Sequence, residues 1–434
     1  MSYPDLVAVG GFALLFVLLL LRVPIGVAMG LVGVGGFALM VRTGPALNLV
    51  GLSPIRTATE YSLALIPMFI LMGSLATASG LSAELYRASN AWIGHRRGGL
   101  AMATIAACGG FAAICGSSVA TAATMTKVAL PEMKRYGYPD TLATGSIAAG
   151  GTLGILIPPS IVLAIYGILT EQDIGKLFIA GVVPGIMALM LYLVTVRLYV
   201  MFSKQDVPVQ EVASWQERIA ASRGVWAVLL LFVFVMGGIY GGVFTPSEAA
   251  GMGASGVLII GLVRRRLNLK TIYRCLVDSI QVSASIFFIL IGALLFGYFL
   301  TATQSPQKIA TALLSLELGP HGTLLLILLF FLLLGCILDA MAMIVLMIPI
   351  IYPVVLQLGF DPIWFGVIIV MTVELGLITP PVGMNVFVLN SLARDIPLQR
   401  IFAGVMPFVL MDVLRLAILV AFPILVLFLP NSMQ

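Results

Sequence analysis

The feature that most constrains this chain is its succession of long apolar runs, many of them reaching the roughly 20 residues that cross a bilayer as a helix. Hydrocarbon offers backbone N–H and C=O groups no partner, so spanning segments must be helices or a closed barrel. Barrel strands alternate apolar and polar residues, whereas residues 12–21 are continuously apolar. The sequence therefore predicts an all-α polytopic membrane protein. Charged residues make up only 9% of the 434 residues, against about a quarter in soluble domains. The net charge of +5 is not a nucleic-acid signal, because the basic residues sit in short loops between apolar runs. The first run follows Asp5 without a basic leader or small-residue cleavage site, so no cleavable signal peptide is expected. The four cysteines lie in or beside apolar segments without paired spacing and read as small buried hydrophobes.

The chain repeats itself at an offset of about 222 residues. Pro24 matches Pro246, Gly33 matches Gly256, and Leu153-Gly154 matches Leu375-Gly376. Pro158-Pro159 matches Pro380-Pro381, and Asp173-Ile174 matches Asp395-Ile396. Such matches in unbroken order point to duplication. Residues 1–202 form the first repeat, a polar linker covers 203–223, and residues 224–434 form the second. The first repeat reads as spans 6–21, 24–41 and 57–79, an interfacial stretch 81–97, a re-entrant hairpin 98–135, a broken span 141–169 and a last span 176–202. The second reads as spans 226–243, 246–263 and 278–300, a stretch 304–318, a hairpin 321–358, a broken span 363–392 and a last span 398–429. Five crossings per half make the second half an inverted copy. With both termini outside, the cytoplasmic segments hold seventeen Lys and Arg, including Arg96, Arg97, Arg197 and Lys204, and the outer segments hold four. That bias follows the positive-inside rule.

Two kinds of interruption recur at matching positions. The hairpin tips carry Cys115–Val119 and Cys336–Ala340, and the broken spans carry Pro158-Pro159 and Pro380-Pro381. Proline lacks a donor and pushes its predecessor out of the helical region, so a mid-span Pro-Pro pair frees carbonyls. In hydrocarbon such carbonyls must line a cavity or bind something. Oxygens at Ser117, Gly154, Gly376 and Thr379 form a hard set suited to a small cation such as Na⁺. Helix ends near Ser118 and Pro158 suit an anion. A single motif of this kind reads equally well as a packing kink; two interrupted pairs, each beside a hairpin, favour binding.

Few intramembrane charges remain. Glu374 and Asp339 sit at the second pair of breaks, either to join in coupling or to bind freed amides. Asp412 and Arg415 lie three apart on the last span and read as a structural pair. Lys127 reads as a snorkelling side chain. The only histidines, His95 and His321, flank hairpins on opposite sides, which leaves no histidine metal cluster.

The strings GGLAMATIAACGGFAAICGSSVATAATM, GYPDTLATGSIAAGGTLGILIPPSIVLAIYGILT, LFIAGVVPG and ELGLITPPVGMNVFVLN resemble the large membrane subunit of tripartite ATP-independent periplasmic (TRAP) transporters, essentially end to end. The resemblance implies an elevator-type fold, with hairpins and broken spans as the mobile part and the first spans of each half as scaffold. It implies a bacterial inner-membrane importer of small carboxylates, and the basic-residue bias puts both termini on the periplasmic side. A small four-helix membrane subunit and a soluble periplasmic substrate-binding protein would be its partners. Na⁺ would be the coupling ion, with no other cofactor, since no Walker-type phosphate loop is present. The implied Na⁺ sites fall at Gly116, Ser117, Gly151, Thr152, Gly154 and Pro158, and at Leu338, Asp339, Gly376, Thr379 and Pro381. Substrate contacts fall at Ser118, Thr121, Pro159, Gly383 and Asn385. Members commonly carry a small and then an acidic residue after the GSSVA tip, where this chain has Thr121 and Ala122. A self-sufficient Na⁺/carboxylate symporter of the same architecture is the alternative; an enzyme would need a nucleophile–base constellation that the chain lacks.

Overall fold

A computed structural model describes residues 3–203 and 207–433. Among them the regular structure is helical throughout, with no strand. The first half contains α1 (Tyr3–Leu20), α2 (Ile25–Met40), α3 (Thr43–Thr59), α4 (Leu65–Ala78) and α5 (Leu81–Ile93). It continues with α6 (Gly99–Cys115), α7 (Ser118–Arg135), α8 (Asp140–Leu156), α9 (Ile161–Thr170) and α10 (Ile174–Phe202). The second half contains α11 (Trp215–Tyr240), α12 (Pro246–Val263), α13 (Leu269–Thr303), α14 (Ser305–Leu314) and α15 (Gly319–Gly335). It ends with α16 (Ala340–Gln357), α17 (Pro362–Gly376), α18 (Met384–Leu392), α19 (Leu398–Ala421) and α20 (Ile424–Leu427). By length and composition, nine described segments can cross a membrane, Asp140–Thr170 counting as one across its break.

Three boundaries differ from the sequence expectation. Residues 57–59 do not open the third span; they close α3, a separate helix with Pro54 inside it and the non-helical Glu60 after it. The helix matched to span 278–300 begins nine residues earlier, because Asn268 caps it by accepting from Thr271 N at 2.8 Å. Lys270 and Arg274 fall on its exposed side, and the apolar pattern alone hides that start. Within the 203–223 stretch, Ser214 and Glu217 form a capping box that opens α11 at Trp215. Lys204, counted among the basic residues, lies outside the described residues.

Small residues set the helix packing. α2 lies along α13 so closely that a Cβ on Gly33 would stand 2.5 Å from Leu295 C, and one on Gly26 2.8 Å from Phe288 O. α12 packs on α4 in the same manner of pairing. α8 sits at the centre, against α6, α7 and α19. Of the Asp140–Thr170 apolar window 83% is buried, against 11% for α1, so the broken span is enclosed by protein while α1 faces the surroundings. The second arm of each hairpin touches the far half-helix of the opposite half of the chain: α7 meets α18, and α16 meets α9. All four cysteines are free and buried.

Candidate functional site

The first tip is closed onto the first break. Gly116, at φ 63°, ends α6, and Ser117 caps α7 by accepting from Ala120 N at 3.4 Å. The Ser117 carbonyl accepts from Thr121 N at 3.1 Å and from Thr121 Oγ1 at 2.8 Å. A Cβ on Gly154 would lie 2.5 Å from Ser117 O and 2.8 Å from Thr121 Oγ1. One on Gly116 would lie 2.8 Å from Pro159 O, and one on Gly151 2.7 Å from Ala122 Cβ. Only glycine allows tip and break to meet this closely. Pro158 and Pro159 deny N–H donors to Gly154 O and Ile155 O. Ser160 replaces one of them, donating through Oγ to Ile155 O while capping α9. Gly154 O gains no such replacement among the described residues. The structure thus brings together Gly116, Ser117, Thr121, Gly151, Gly154 and Pro159, with Ser118 buried in the first turn of α7.

The second tip and break pair differently. Asp339 caps α16, accepting from Met341 N at 2.9 Å and Ala342 N at 3.2 Å, so its carboxylate is engaged with backbone amides. Leu338 lies in the tip turn, its N–H donating to Leu334 O at 2.8 Å. Gly335 and Gly376 make the close contact, a Cβ on Gly376 falling 2.7 Å from Gly335 C. Here the carbonyls opposite Pro380 and Pro381 are taken up again: Gly376 O accepts from Thr379 N at 3.2 Å and Leu377 O from Asn385 N at 3.1 Å. The Thr379 hydroxyl donates to Leu375 O at 2.6 Å, which leaves its lone pairs for a cation. Pro380 and Pro381 are exposed, unlike Pro158 and Pro159. Gly383, at φ 63°, caps α18. Asn385 is fully buried and neither polar atom of its side chain has a partner.

A buried polar chain links the two breaks. Thr152 Oγ1 lies 3.1 Å from Tyr192 Oη, and Tyr192 donates to Asp412 Oδ2 at 2.6 Å. Arg415 Nη2 stands 2.9 Å from Asp412 Oδ1 and donates to Glu374 Oε2 at 3.0 Å. The guanidinium also rides over the Tyr192 ring at 5.9 Å. All five side chains are buried. Thr152 is therefore turned toward this chain rather than toward the Ser117 tip. Asp412 and Arg415 do pair, but Tyr192 and Glu374, which complete the arrangement, carry no signal of it in their spacing. Among the described residues no group of three or more His, Cys, Asp or Glu gathers to hold a metal. Capacity for a hard cation thus rests on backbone and hydroxyl oxygens, which is the donor chemistry present at Gly154, Ser117 and Thr379.

Interrupted helices that gather polar groups inside a multi-pass bundle define a solute transporter of the membrane. The chain belongs to the tripartite ATP-independent periplasmic transporter DctM component family, whose profile matches residues 12–425. It is 38% identical, over 92% of both chains, to the C4-dicarboxylate TRAP transporter large permease protein DctM of Pseudomonas aeruginosa. It is 30% identical to the sialic acid TRAP transporter large permease protein SiaM of Vibrio cholerae, over 95% of this chain and 96% of that one. These relatives are transporter permease components, not enzymes. In fold the chain resembles the Alcanivorax borkumensis YdaH transporter, with TM-score 0.62, 16% identity and coverage of 88% and 90%.

Proposed function

We propose that this chain carries a small organic carboxylate across the bacterial inner membrane, driven by Na⁺ and by an elevator movement of its hairpins and broken spans. The observation that carries this reading is the direct seat of the Ser117 tip on Gly154, where Pro158 has withdrawn the donor from a carbonyl in the protein's interior. A Na⁺ ion at Gly154 O and the Ser117 hydroxyl restores the missing partner, where an unpaired buried group costs several kcal/mol. α7 and α18 pack on one another, and their N-termini then receive the carboxylate near Ser118, Thr121, Gly383 and Asn385. The orphaned Asn385 amide suits an oxygen-rich ligand. Named substrates of relatives include C4-dicarboxylates and sialic acid, so a C4-dicarboxylate or similar acid is the substrate class.

The inverted repeat is supported by exchanged pairings: α2 with α13 against α12 with α4, and α7 with α18 against α16 with α9. The scaffold comprises α1–α4 and α11–α13. The orientation, with both termini periplasmic, is supported by ion pairs that each join one side: Arg264 with Glu84, Arg400 with Asp140 and Lys134 with Asp395 inside, and Lys308 with Asp5 outside. The partners are a small four-helix membrane subunit and a periplasmic binding protein, as expected of a TRAP large permease.

The test is reconstitution. Purified chain in liposomes with a Na⁺ gradient is expected to take up no dicarboxylate until both partners are added. Robust uptake by the lone chain would overturn the tripartite reading in favour of a self-sufficient symporter.

A further inference from the structure

At the end of the bundle where the first hairpin opens, a cavity of about 520 Å³ is lined by Arg96, Arg97, Met102, Arg197, Val200 and Met201. Arg96 and Arg97 stand in the turn between α5 and α6, and Arg197 stands near the end of α10. Gly98, at φ 77°, folds that turn onto α10, where a Cβ would lie 2.9 Å from Val200 Cγ2. Three other bases on this side are ion-paired: Arg264 with Glu84 at 2.6 Å, Arg400 with Asp140 at 3.2 Å, and Lys134 with Asp395. The guanidinium groups of Arg96, Arg97 and Arg197 make no hydrogen bond or ion pair among the described residues. Three positive charges around one cavity repel one another and favour an anion.

The apolar part of the lining decides which anion. Met102 is almost wholly buried, whereas Met201 at the end of α10 is 63% exposed. A soluble phosphate has no use for that strip, while an acyl chain covers it. Guanidinium groups at the membrane surface match a phosphodiester with charge-assisted hydrogen bonds. We propose that this cavity binds the headgroup of an anionic phospholipid, its phosphate among Arg96, Arg97 and Arg197 and an acyl chain along Val200 and Met201. Such a lipid pins the α5–α6 turn to α10, at the mouth of the first hairpin.

The experiment uses delipidated full-length chain in detergent, titrated with phosphatidylglycerol, phosphatidylcholine and glycerophosphoglycerol, the same headgroup without acyl chains. Bound ligand is read by native mass spectrometry and by the rise in Tm. Phosphatidylglycerol should bind tightest and raise Tm. R197Q alone should weaken it about fivefold, and the triple variant R96Q/R97Q/R197Q about 100-fold, as expected for surface charges near a bilayer. R274Q, elsewhere on the chain, should change nothing. Undiminished phosphatidylglycerol binding by the triple variant would overturn the site; should that variant not fold, unchanged binding by R197Q would do so. Equal binding of glycerophosphoglycerol would overturn the lipid assignment in favour of a free phosphate ester.

Discussion

The two tip-and-break pairs share a sequence plan and differ in how the freed backbone is treated. At the first, Pro158 and Pro159 are buried, Ser160 repairs Ile155 O, and Gly154 O is left beside the Ser117 tip. At the second, Pro380 and Pro381 are exposed, Thr379 and Asn385 repair Gly376 O and Leu377 O, and a carboxylate rather than a hydroxyl caps the hairpin arm. A duplicated motif therefore need not give two equal sites. The first leaves a carbonyl without a replacement donor among the described residues; the second has its carbonyls met by its own chain, and is tied through Glu374 to Arg415.

The largest expected effect comes from cutting that tie. Arg415→Met leaves Glu374 and Asp412 as buried carboxylates without a counter-charge, a loss of about 3–5 kcal/mol for breaking a buried pair from one side. Thermal unfolding in detergent should fall sharply, and near-wild-type Tm would show that the chain is not structural. Gly154→Ala should come next, because its methyl would press into the Ser117 carbonyl. Overpacking of about 1–3 kcal/mol is expected to appear as loss of transport, whereas Gly35→Ala, which meets nothing within 4 Å, should be silent. Tyr192→Phe removes the hydroxyl between Thr152 and Asp412, with an expected cost of about 1–3 kcal/mol and Na⁺ dependence kept. The finest effect separates the sites. Ser117→Ala should raise the Na⁺ concentration for half-maximal uptake more than Thr379→Val does, and the reverse order would assign the greater demand to the second break.

Much of this was legible because the bilayer leaves few options. Apolar length located the helices, and the two Pro-Pro pairs located both breaks within a few residues. Sequence alone did not disclose α3, since Pro54 and Arg56 make Thr43–Thr59 look like a loop leading into a span. Nor did it disclose the repair of the second break, because the N–H of Asn385 reaches back across the turn to Leu377, a contact that depends on the left-handed Gly383. The Arg415 pair was half visible: Asp412 is one helical turn away, but Glu374 lies 41 residues distant and meets it only through the packing of α17 on α19. Tyr192 carried no signal, since a tyrosine on a long apolar helix is ordinarily core.

The central claim is that a cation satisfies the backbone at these breaks and so drives carboxylate transport. It is tested most directly by reconstituting the chain with both partners and measuring radiolabelled dicarboxylate and Na⁺ influx together. The account predicts that substrate influx carries Na⁺ with it and ceases when external Na⁺ is replaced by K⁺ or choline. Undiminished substrate uptake under that replacement, with no accompanying Na⁺ influx, would contradict it.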